Sequence, residues 1–162
     1  MNFFEKIENK IIKPDQIDRL LSYWRFNGDT IVFTNGCFDI VHYGHINYLS
    51  KAADLGSKLI IGLNSDNSVK RLKGKNRPIN GEMERAILLA SLIFIDGIII
   101  FDEDTPFGLI SNIKPDILVK GGDYQIEDIV GYDIVQKAGG IVQTIDFVDG
   151  YSSSKIIQEG GL

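Results

Sequence analysis

Short apolar runs alternate with amphipathic segments along most of this chain. The apolar runs predict β-strands, and the segments that repeat apolar residues every three or four positions predict helices. Nearly every position within the runs is apolar, which is typical of strands covered on both faces of a sheet. The pattern therefore predicts an α/β fold, with a single doubly wound parallel sheet and helices on both of its faces. The five strands are placed at residues 30–34, 58–63, 97–101, 117–119 and 141–145.

The helices connect these strands as crossovers, and local signals mark some of their ends. Pro14 starts the first helix and Gly28 ends it. Residues 1–13 carry no clear pattern. We therefore divide one overall domain into a helical lead-in at 1–29 and a main domain at 30–162. The predicted helices span residues 14–27, 42–55, 80–94, 104–112, 127–138 and 152–158, with a short helical turn at 67–72.

The composition excludes several classes of partner. The chain has 162 residues, of which 44% are hydrophobic, a net charge of −5 and one cysteine. The negative charge argues against broad nucleic-acid or anionic-membrane surfaces, and a lone cysteine allows no internal disulfide. The most apolar window, 86–101, is interrupted by Asp96 and Gly97 and is shorter than the roughly 18 apolar residues of a membrane span. Because the N-terminus lacks a signal-peptide pattern, we expect a cytoplasmic protein that binds neither nucleic acid nor membrane.

The segment after the first predicted strand carries the most informative chemistry. The strand passes into a small-residue turn, and His42, Gly44 and His45 stand at the start of the next helix. Ligands bind at the carboxyl ends of strands in such sheets, a helix N-terminus attracts anions, and histidines three apart share one helical face. Two imidazoles at this place suit a polyphosphate. The predicted anion-binding residues are Asn35, Gly36, Cys37, Phe38, Asp39, His42, Gly44 and His45.

Other interpretations of the histidine pair stay open. His42 and His45 would be two zinc ligands if Cys37 or a carboxylate completed the set. They would also serve as structural histidines in a fold that binds no ligand. Asp39, three residues before His42, suits either the orientation of a histidine or the capping of the helix N-terminus.

Three further segments follow predicted strands and therefore fall at the same sheet edge. Residues 70–78 hold five Lys or Arg among nine residues, residues 120–122 hold a lysine and two glycines, and residues 151–154 hold a tyrosine and three serines. Glycines let a ligand approach the backbone, and a serine-rich helix start offers hydroxyls and free N–H groups to phosphate. Each segment also has an ordinary structural interpretation, as a solvated basic loop, a tight turn or a set of helix caps.

The signature His42-x-Gly44-His45 after a strand resembles that of the HxGH nucleotidyltransferases, the cytidylyltransferase-like family. Within that family, other runs look like the adenylyltransferases of ADP-heptose synthesis, and the similarity covers roughly residues 14–160. The resemblance implies a Rossmann-like nucleotidyltransferase fold. The runs that carry it are Asn64-Ser65-Asp66, Lys70-Arg71-Leu72-Lys73-Gly74, Arg77-Pro78-Ile79-Asn80, Glu103-Asp104-Thr105-Pro106, Leu118-Val119-Lys120-Gly121-Gly122-Asp123-Tyr124 and Gly139-Gly140.

The resemblance also implies a reaction. Enzymes of this kind transfer AMP from ATP to D-glycero-D-manno-heptose 1-phosphate and give ADP-heptose and pyrophosphate, with Mg²⁺ bound through the triphosphate and not by the protein. The product is used for lipopolysaccharide core or related glycans. We therefore expect ATP and a sugar 1-phosphate as substrates and a separate heptose kinase in the pathway. A homodimer is allowed but not required.

Residue roles follow from the same resemblance. His42, His45 and Lys73 would be catalytic, because they would stabilise charge on the transferred phosphoryl group and on the departing pyrophosphate. Arg85 would reach the phosphates, with the alternative that it is an ordinary surface arginine. The further nucleotide-binding and phosphate-binding residues would be Lys120, Gly121, Gly122, Asp123, Ser152, Ser153 and Ser154. The residues that bind the acceptor would be Lys70, Lys75, Asn64 and Asp66.

Three other functions remain as hypotheses. A cytidylyltransferase that acts on glycerol 3-phosphate or another phosphorylated polyol would use the same phosphate chemistry with a different base and acceptor. A nucleotide-binding regulator without catalysis would bind nucleotide and release no pyrophosphate. A purely structural domain would do neither.

Overall fold

A five-stranded parallel sheet forms the centre of the computed structural model, which describes residues 1–122, 124–148 and 150–160. Its strands are β1 (Ile31–Gly36), β2 (Lys58–Asn64), β3 (Gly97–Phe101), β4 (Ile117–Gly121) and β5 (Ile141–Ile145). The spatial order is β3-β2-β1-β4-β5, and all neighbouring strands are parallel. β1 and β2 pair from Ile31↔Lys58 to Gly36↔Leu63.

Helices cover both faces of this sheet. They are α1 (Phe3–Glu8), α2 (Ile17–Phe26), α3 (Tyr43–Ala53), α4 (Asp66–Lys73), α5 (Glu82–Ala90), α6 (Phe107–Ile113), α7 (Tyr132–Lys137) and α8 (Ser153–Gly160). Side chains alternate along each strand, so Ile31 and Phe33 of β1 join a core cluster with α2, α6 and α7, whereas Val32 joins a second cluster with α3 and α5. The predicted α/β fold with a parallel five-stranded sheet and helices on both faces is confirmed.

Within the first thirteen residues, for which the pattern predicted no structure, residues 10–12 pair with the edge of the sheet. The Ile98 N–H of β3 donates to the Lys10 carbonyl, and the Ile12 N–H donates to the Ile98 carbonyl, both at 2.8 Å. Ile12 and Trp24 are buried in the same core cluster as Ile31. The lead-in at 1–29 and the main domain thus share one core.

Two predicted helices are shorter than their sequence patterns suggested. The helix predicted at 80–94 ends at Ala90, because the chain must turn there to bring Asp96 beside β2, where the Leu59 N–H donates to its carboxylate at 2.9 Å. The helix predicted at 127–138 covers Tyr132–Lys137, since Gly131 takes a left-handed φ of 94° that interrupts it.

Candidate active site

A cleft with a volume of about 720 Å³ opens at the carboxyl edge of the sheet. It lies where the strand order reverses between β1 and β4, the position at which open α/β sheets bind ligands. Segments that are far apart in sequence therefore line one cavity. The predicted site residues in its lining are Asn35, Gly36, Cys37, Phe38, Asp39, His42, Gly44, His45, Asn64, Lys73, Lys120, Ser152, Ser153 and Ser154.

The two histidines are stacked at the start of α3. Their ring centroids are 3.8 Å apart and their planes differ by 20°. His42 is the N-cap residue of α3, because its Nδ1 accepts the His45 backbone N–H at 3.4 Å. The His45 Nδ1 is buried and has no hydrogen-bond partner in the part of the chain that the structure describes. Because this nitrogen is buried, it is the rest of the His45 ring, which lines the cleft beside a helix N-terminus, that suits contact with a ligand oxygen.

Gly44 and Phe38 determine where the histidine rings lie. A Cβ at Gly44 would be 3.1 Å from the His42 ring and 3.1 Å from the Tyr151 Cβ, so any larger residue would displace one of them. Phe38 takes a left-handed φ of 45°, and its ring meets the His45 ring edge-on with centroids 5.1 Å apart. Phe38 thus packs its ring against His45, and the missing side chain of Gly44 leaves room for the His42 ring.

Burial lowers the pKa of both histidines. The pKa of His45 falls to about 4, chiefly through burial and then through the neighbouring His42, while the Ile40 backbone acts in the opposite direction. Burial also lowers the pKa of His42. Both imidazoles are therefore neutral at pH 7 in the free protein, which makes close stacking of the two rings tolerable. A bound polyphosphate would favour the charged forms and raise both pKa values.

The His45 pKa predicts how the free protein responds to acid. Because the folded pKa of about 4 lies below the ordinary value of 6.5, the unfolded chain takes up the proton first as the pH falls. The stability associated with neutral His45 is fully present above pH 6.5 and is lost as the pH falls toward 4. We expect His45→Gln to reduce the acid loss of unfolding free energy across this window by about 1–3 kcal/mol, measured by urea unfolding at several pH values. Parallel pH curves for the two proteins would contradict a buried neutral His45.

Asp39 anchors the segment that follows α4. Its side chain is 2% exposed, and its carboxylate pairs with Arg77 and accepts the Ile79 N–H at 2.6 Å. The Asp39 carbonyl accepts the Asn80 side-chain N–H at 3.2 Å. Neither expected role of Asp39 is found among the described contacts, because its carboxylate orients neither histidine and His42 itself caps α3. Asp39 instead brings Arg77 into the cleft lining.

Arg85 is fully buried on α5 and lies outside the cleft lining. Its guanidinium donates to the carbonyls of Asn80, Cys37 and Asn64 at 3.0, 2.6 and 2.9 Å, and to the Asp66 carboxylate at 2.8 Å. The surface alternative is therefore wrong, and this geometry does not provide the expected direct phosphate contact. Arg85 joins the ends of β1 and β2 to α4 and α5. Asp66, expected at the acceptor, is its ion-pair partner.

The basic residues of α4 and the following loop divide into two groups. Lys73, at the end of α4, lines the cleft. Lys70 and Lys75 are exposed and lie outside the lining, and their contact with the acceptor stays a prediction. Arg71 pairs with Asp104 at 2.7 Å and thereby holds α4 against the loop after β3. This contact fixes the helix end that presents Lys73.

Lys120 extends from the end of β4 toward β1. Its Nζ lies 3.4 Å from the Asn35 Oδ1, and no ion pair with a carboxylate is found for it in the described ranges. Burial lowers the pKa of Lys120, and the nearby Cys37 acts in the opposite direction. Lys120 and Gly121 also line an inner pocket of about 220 Å³ that continues the cleft. Gly122 adjoins it, and Asp123 lies outside the described residues.

The start of α8 is held against the histidine turn. The Ser153 hydroxyl donates to the Ile40 carbonyl at 3.0 Å. The Tyr151 ring stacks near His42, with centroids 6.3 Å apart and planes 26° apart. The N-termini of α3 and α8 therefore meet at one cleft, as the serine-rich segment predicted.

Several lining residues were not selected from the sequence. Arg77 belongs to the basic segment at residues 70–78, and its ion pair with Asp39 places it in the cleft lining. Leu72 lies on α4 and Leu118 on β4, and the others come from segments between the regular elements. The additional lining residues are Leu72, Arg77, Asp104, Thr105, Pro106, Leu118, Tyr124, Asp128, Ile129, Val130, Phe147, Val148 and Tyr151.

Neither a metal-ligand cluster nor a membrane-spanning helix is present among the described residues. Over residues 1–122, 124–148 and 150–160, no group of three or more His, Cys, Asp or Glu side chains is placed to hold a metal ion. The zinc interpretation of His42 and His45 therefore lacks a third ligand in these ranges. None of the helices in the same ranges has both the length and the apolar character needed to cross a membrane.

Comparison with known proteins identifies the family. The model of the cytidylyltransferase-like family matches residues 33–159, which include every element around the cleft. This chain belongs to the cytidylyltransferase-like family. The predicted family and the predicted enzyme class, a nucleotidyltransferase, are thereby confirmed.

Individual members of the cytidylyltransferase-like family extend this result. The chain is 55% identical over 159 residues to the bifunctional protein HldE of Campylobacter jejuni subsp. jejuni serotype O:6, covering 98% of the chain and 32% of that protein. It is 52% identical over 151 residues to the bifunctional protein HldE of Syntrophotalea carbinolica, covering 93% and 31%. The chain thus spans about a third of the length of these curated relatives.

A solved structure agrees with the sequence comparison. The lipopolysaccharide core biosynthesis protein from Thermoplasma volcanium GSS1 is 31% identical to the chain and superimposes with a TM-score of 0.61. The match covers 77% of this chain and 100% of that one. The overall fold is therefore shared with an experimentally determined structure.

Proposed function

We propose that this chain transfers AMP from ATP to D-glycero-D-manno-heptose 1-phosphate and releases ADP-heptose and pyrophosphate. The observation that carries the proposal is the stacked pair of His42 and His45 at the start of α3, in a cleft that Lys73 and the serines of α8 also line. Two comparisons support a sugar nucleotide as the product. They are the sequence identity of 55% to an HldE protein and the structural similarity to a protein named for lipopolysaccharide core biosynthesis.

The chemistry requires positioning more than proton transfer. The acceptor phosphate is already an anion, so one of its oxygens attacks the α-phosphorus of ATP without a general base. A new P–O bond forms, the bond between the α-phosphorus and the oxygen that bridges to the β-phosphate breaks, and pyrophosphate leaves with that electron pair. His42 and His45 would donate N–H groups to the α- and β-phosphates as negative charge shifts between them.

Lys73 and the start of α8 would bind the leaving group. Lys73 supplies a positive charge, and the hydroxyls and N–H groups at the start of α8 suit the β- and γ-phosphates. Because both lie in the lining with the histidines, the triphosphate would be held along its whole length. The attacking oxygen and the leaving oxygen would then stand on opposite sides of the α-phosphorus.

Mg²⁺ would be bound by the triphosphate itself, and when bound it would neutralise charge on the phosphate oxygens. The carboxylates of the cleft lining, which are the side chains that could bind Mg²⁺ directly, support this arrangement. Asp39 is paired with Arg77, and Asp104 is paired with Arg71, so two carboxylates of the lining already have cationic partners. The residues of this chain would therefore orient the phosphates, and the metal would add charge neutralisation.

The substrates imply further steps. A kinase that phosphorylates the anomeric hydroxyl of the heptose must supply the acceptor, and a transferase that uses the ADP-sugar must consume the product. ATP and sugar phosphates are cytoplasmic metabolites, so the reaction would take place in the cytoplasm. A homodimer remains a prediction.

Pyrophosphate release with Mg²⁺ tests the proposal. The assay combines ATP, CTP or GTP with either anomer of heptose 1-phosphate or with glycerol 3-phosphate. We expect turnover with ATP and one heptose anomer. Turnover with CTP and a polyol phosphate would contradict the heptose assignment and support the cytidylyltransferase alternative. Nucleotide binding without pyrophosphate release on any pair would support the regulator, and no binding at all would support a structural domain.

A further inference from the structure

A continuous series of ring contacts connects the two histidines to three aromatic side chains. The Phe38 ring contacts His45, with centroids 5.1 Å apart, and the stacked His45 and His42 rings are 3.8 Å apart. The Tyr151 ring lies 6.3 Å from His42 with planes 26° apart, and Tyr43 lies 5.2 Å from Tyr151. Each separation is within the roughly 7 Å over which ring pairs interact. The two imidazoles are therefore the centre of a cluster of packed rings.

The two histidines are held in this cluster by different parts of the chain. Phe38 belongs to the turn that leads into α3, and its side chain is buried. Tyr151 lies between β5 and α8, lines the cleft and is 48% exposed. It has no part in the proposed phosphate transfer. The surroundings of His42 therefore depend on a segment that reaches the cleft only after the last strand of the sheet.

The backbone of this segment is itself packed against the start of α3. A Cβ at Gly44 would lie 3.1 Å from the Tyr151 Cβ and 3.1 Å from the His42 Nδ1, so Tyr151 and the imidazole meet over this glycine. Two residues after Tyr151, the Ser153 hydroxyl donates to the Ile40 carbonyl at 3.0 Å. These contacts hold the Tyr151 ring beside the imidazole.

Hydrogen bonding alone constrains the His42 ring weakly. Its Nδ1 accepts the His45 N–H at 3.4 Å, which is long for a hydrogen bond, and no second hydrogen bond of the His42 side chain is found within the described ranges. A neutral imidazole that accepts through Nδ1 carries its proton on Nε2, so Nε2–H is the donor left for a ligand oxygen. One long bond leaves the ring free to rotate about its Cβ–Cγ bond. The near-parallel rings of His45 and Tyr151 limit that rotation.

We propose that Tyr151 is a positioning residue for His42, whose ring orientation it holds by aromatic packing so that Nε2–H stays available to the ligand. The proposal rests on the proposed function in that His42 contacts the transferred phosphoryl group. Because the contact is made by the ring and not by the hydroxyl, phenylalanine should replace Tyr151 and an aliphatic side chain should not. Tyr43 packs behind Tyr151 and lies outside the cleft lining.

Steady-state kinetics with ATP, Mg²⁺ and heptose 1-phosphate separate positioning from ligand binding. A misplaced catalytic group slows the chemical step, so we expect Tyr151→Leu to lower kcat about 10- to 100-fold with the KM for ATP within about threefold of wild type. Tyr151→Phe keeps the ring and should stay within about twofold of wild type in both constants. Tyr23→Leu is the matched control, because this tyrosine is 62% exposed on α2 and lies outside the cleft.

The ring signals of the histidines in a ¹H–¹⁵N NMR spectrum give a readout that does not depend on turnover. The chain has two histidines, so the signals lost in His45→Gln are those of His45 and the others belong to His42. At pH 8, His42 should show the Nε2–H form in the wild type and in Tyr151→Phe. In Tyr151→Leu we expect its ring nitrogens to move toward the average of the two neutral forms, as in a ring that rotates freely.

Three outcomes would overturn the positioning proposal. The first is unchanged His42 signals in Tyr151→Leu, whatever the kinetics show. The second is a Tyr151→Phe variant as slow as Tyr151→Leu, which would assign the role to the hydroxyl. The third is a raised KM with unchanged kcat, which would make Tyr151 a ligand contact. If the wild type releases no pyrophosphate, the proposed function fails, and the histidine signals still decide whether Tyr151 positions His42.

Discussion

Replacing His45 with Ala should lower kcat for pyrophosphate formation by about 100- to 1,000-fold and leave ATP binding within roughly threefold of wild type. The reason is that the His45 ring lines the cleft beside His42 at the start of α3, where the reacting phosphates would lie. A donor held rigidly in a site of low polarity stabilises charge that develops in the transition state more than charge already present in the substrate. The measurement is steady-state kinetics together with calorimetric titration of ATP.

The controls distinguish chemistry from folding. Lys51→Ala changes an exposed residue of the same helix and should keep wild-type kcat. His45→Asn keeps a side-chain N–H donor and should retain more activity than His45→Ala. A variant that loses ATP affinity with unchanged kcat would show that His45 binds substrate and transition state equally, which would contradict its catalytic assignment.

The parts of the site that the sequence predicted are local. His42, Gly44 and His45 lie within one helical turn, directly after a strand, so their proximity depends on a single strand–helix junction. The segments after the other strands reach the same edge because a parallel sheet brings all carboxyl ends of its strands together. Strand positions could be predicted because a buried parallel strand is an almost continuous apolar run.

The parts that the sequence did not predict depend on contacts between distant segments. Asp39 and Arg77 are hydrogen-bonded although they lie 38 positions apart in the sequence. Arg85 donates to the Cys37 carbonyl, 48 positions away. Spacing carries no information about such pairs, because they form only after the crossovers have packed. The same holds for Phe147, whose ring packs on Gly121 at the end of β4 and on Gly122 just after it. Local patterns also missed the break at Gly131, since an ordinary amphipathic pattern continues on either side of it.

Two of these distant contacts are ion pairs that join the segments around the cleft. Asp39 and Arg77 join the histidine turn to the segment after α4, while Arg85 and Asp66 join the ends of β1 and β2 to α4 and α5. Both pairs have one member with almost no exposure, 2% for Asp39 and 0% for Arg85. Arg85 and Asp66 thus hold the backbone of the site from outside the cleft lining, and the Asp39–Arg77 pair holds it from within the lining.

Arg85→Ala should therefore act mainly on stability and lower the free energy of unfolding by about 3 kcal/mol or more. The substitution leaves the Asp66 carboxylate without its cation and removes the donors of three backbone carbonyls, those of Cys37, Asn64 and Asn80. Unpaired buried acceptors lose their hydrogen bonds with water and gain nothing in return. Urea unfolding at pH 7 measures the change.

Arg71→Ala is the matched control, because the Arg71 side chain is 44% exposed and pairs with Asp102 and Asp104, whose side chains are 62% and 66% exposed. Such surface pairs contribute little to stability, so this variant should unfold almost as the wild type does. Arg85→Lys keeps the charge but not the planar set of donors, and should still lose much of the stability. If Arg85→Ala were fully stable and failed to bind ATP, Arg85 would have to contact phosphate directly. It would then have to leave the three carbonyls, and those carbonyls would have to find other donors without measurable cost.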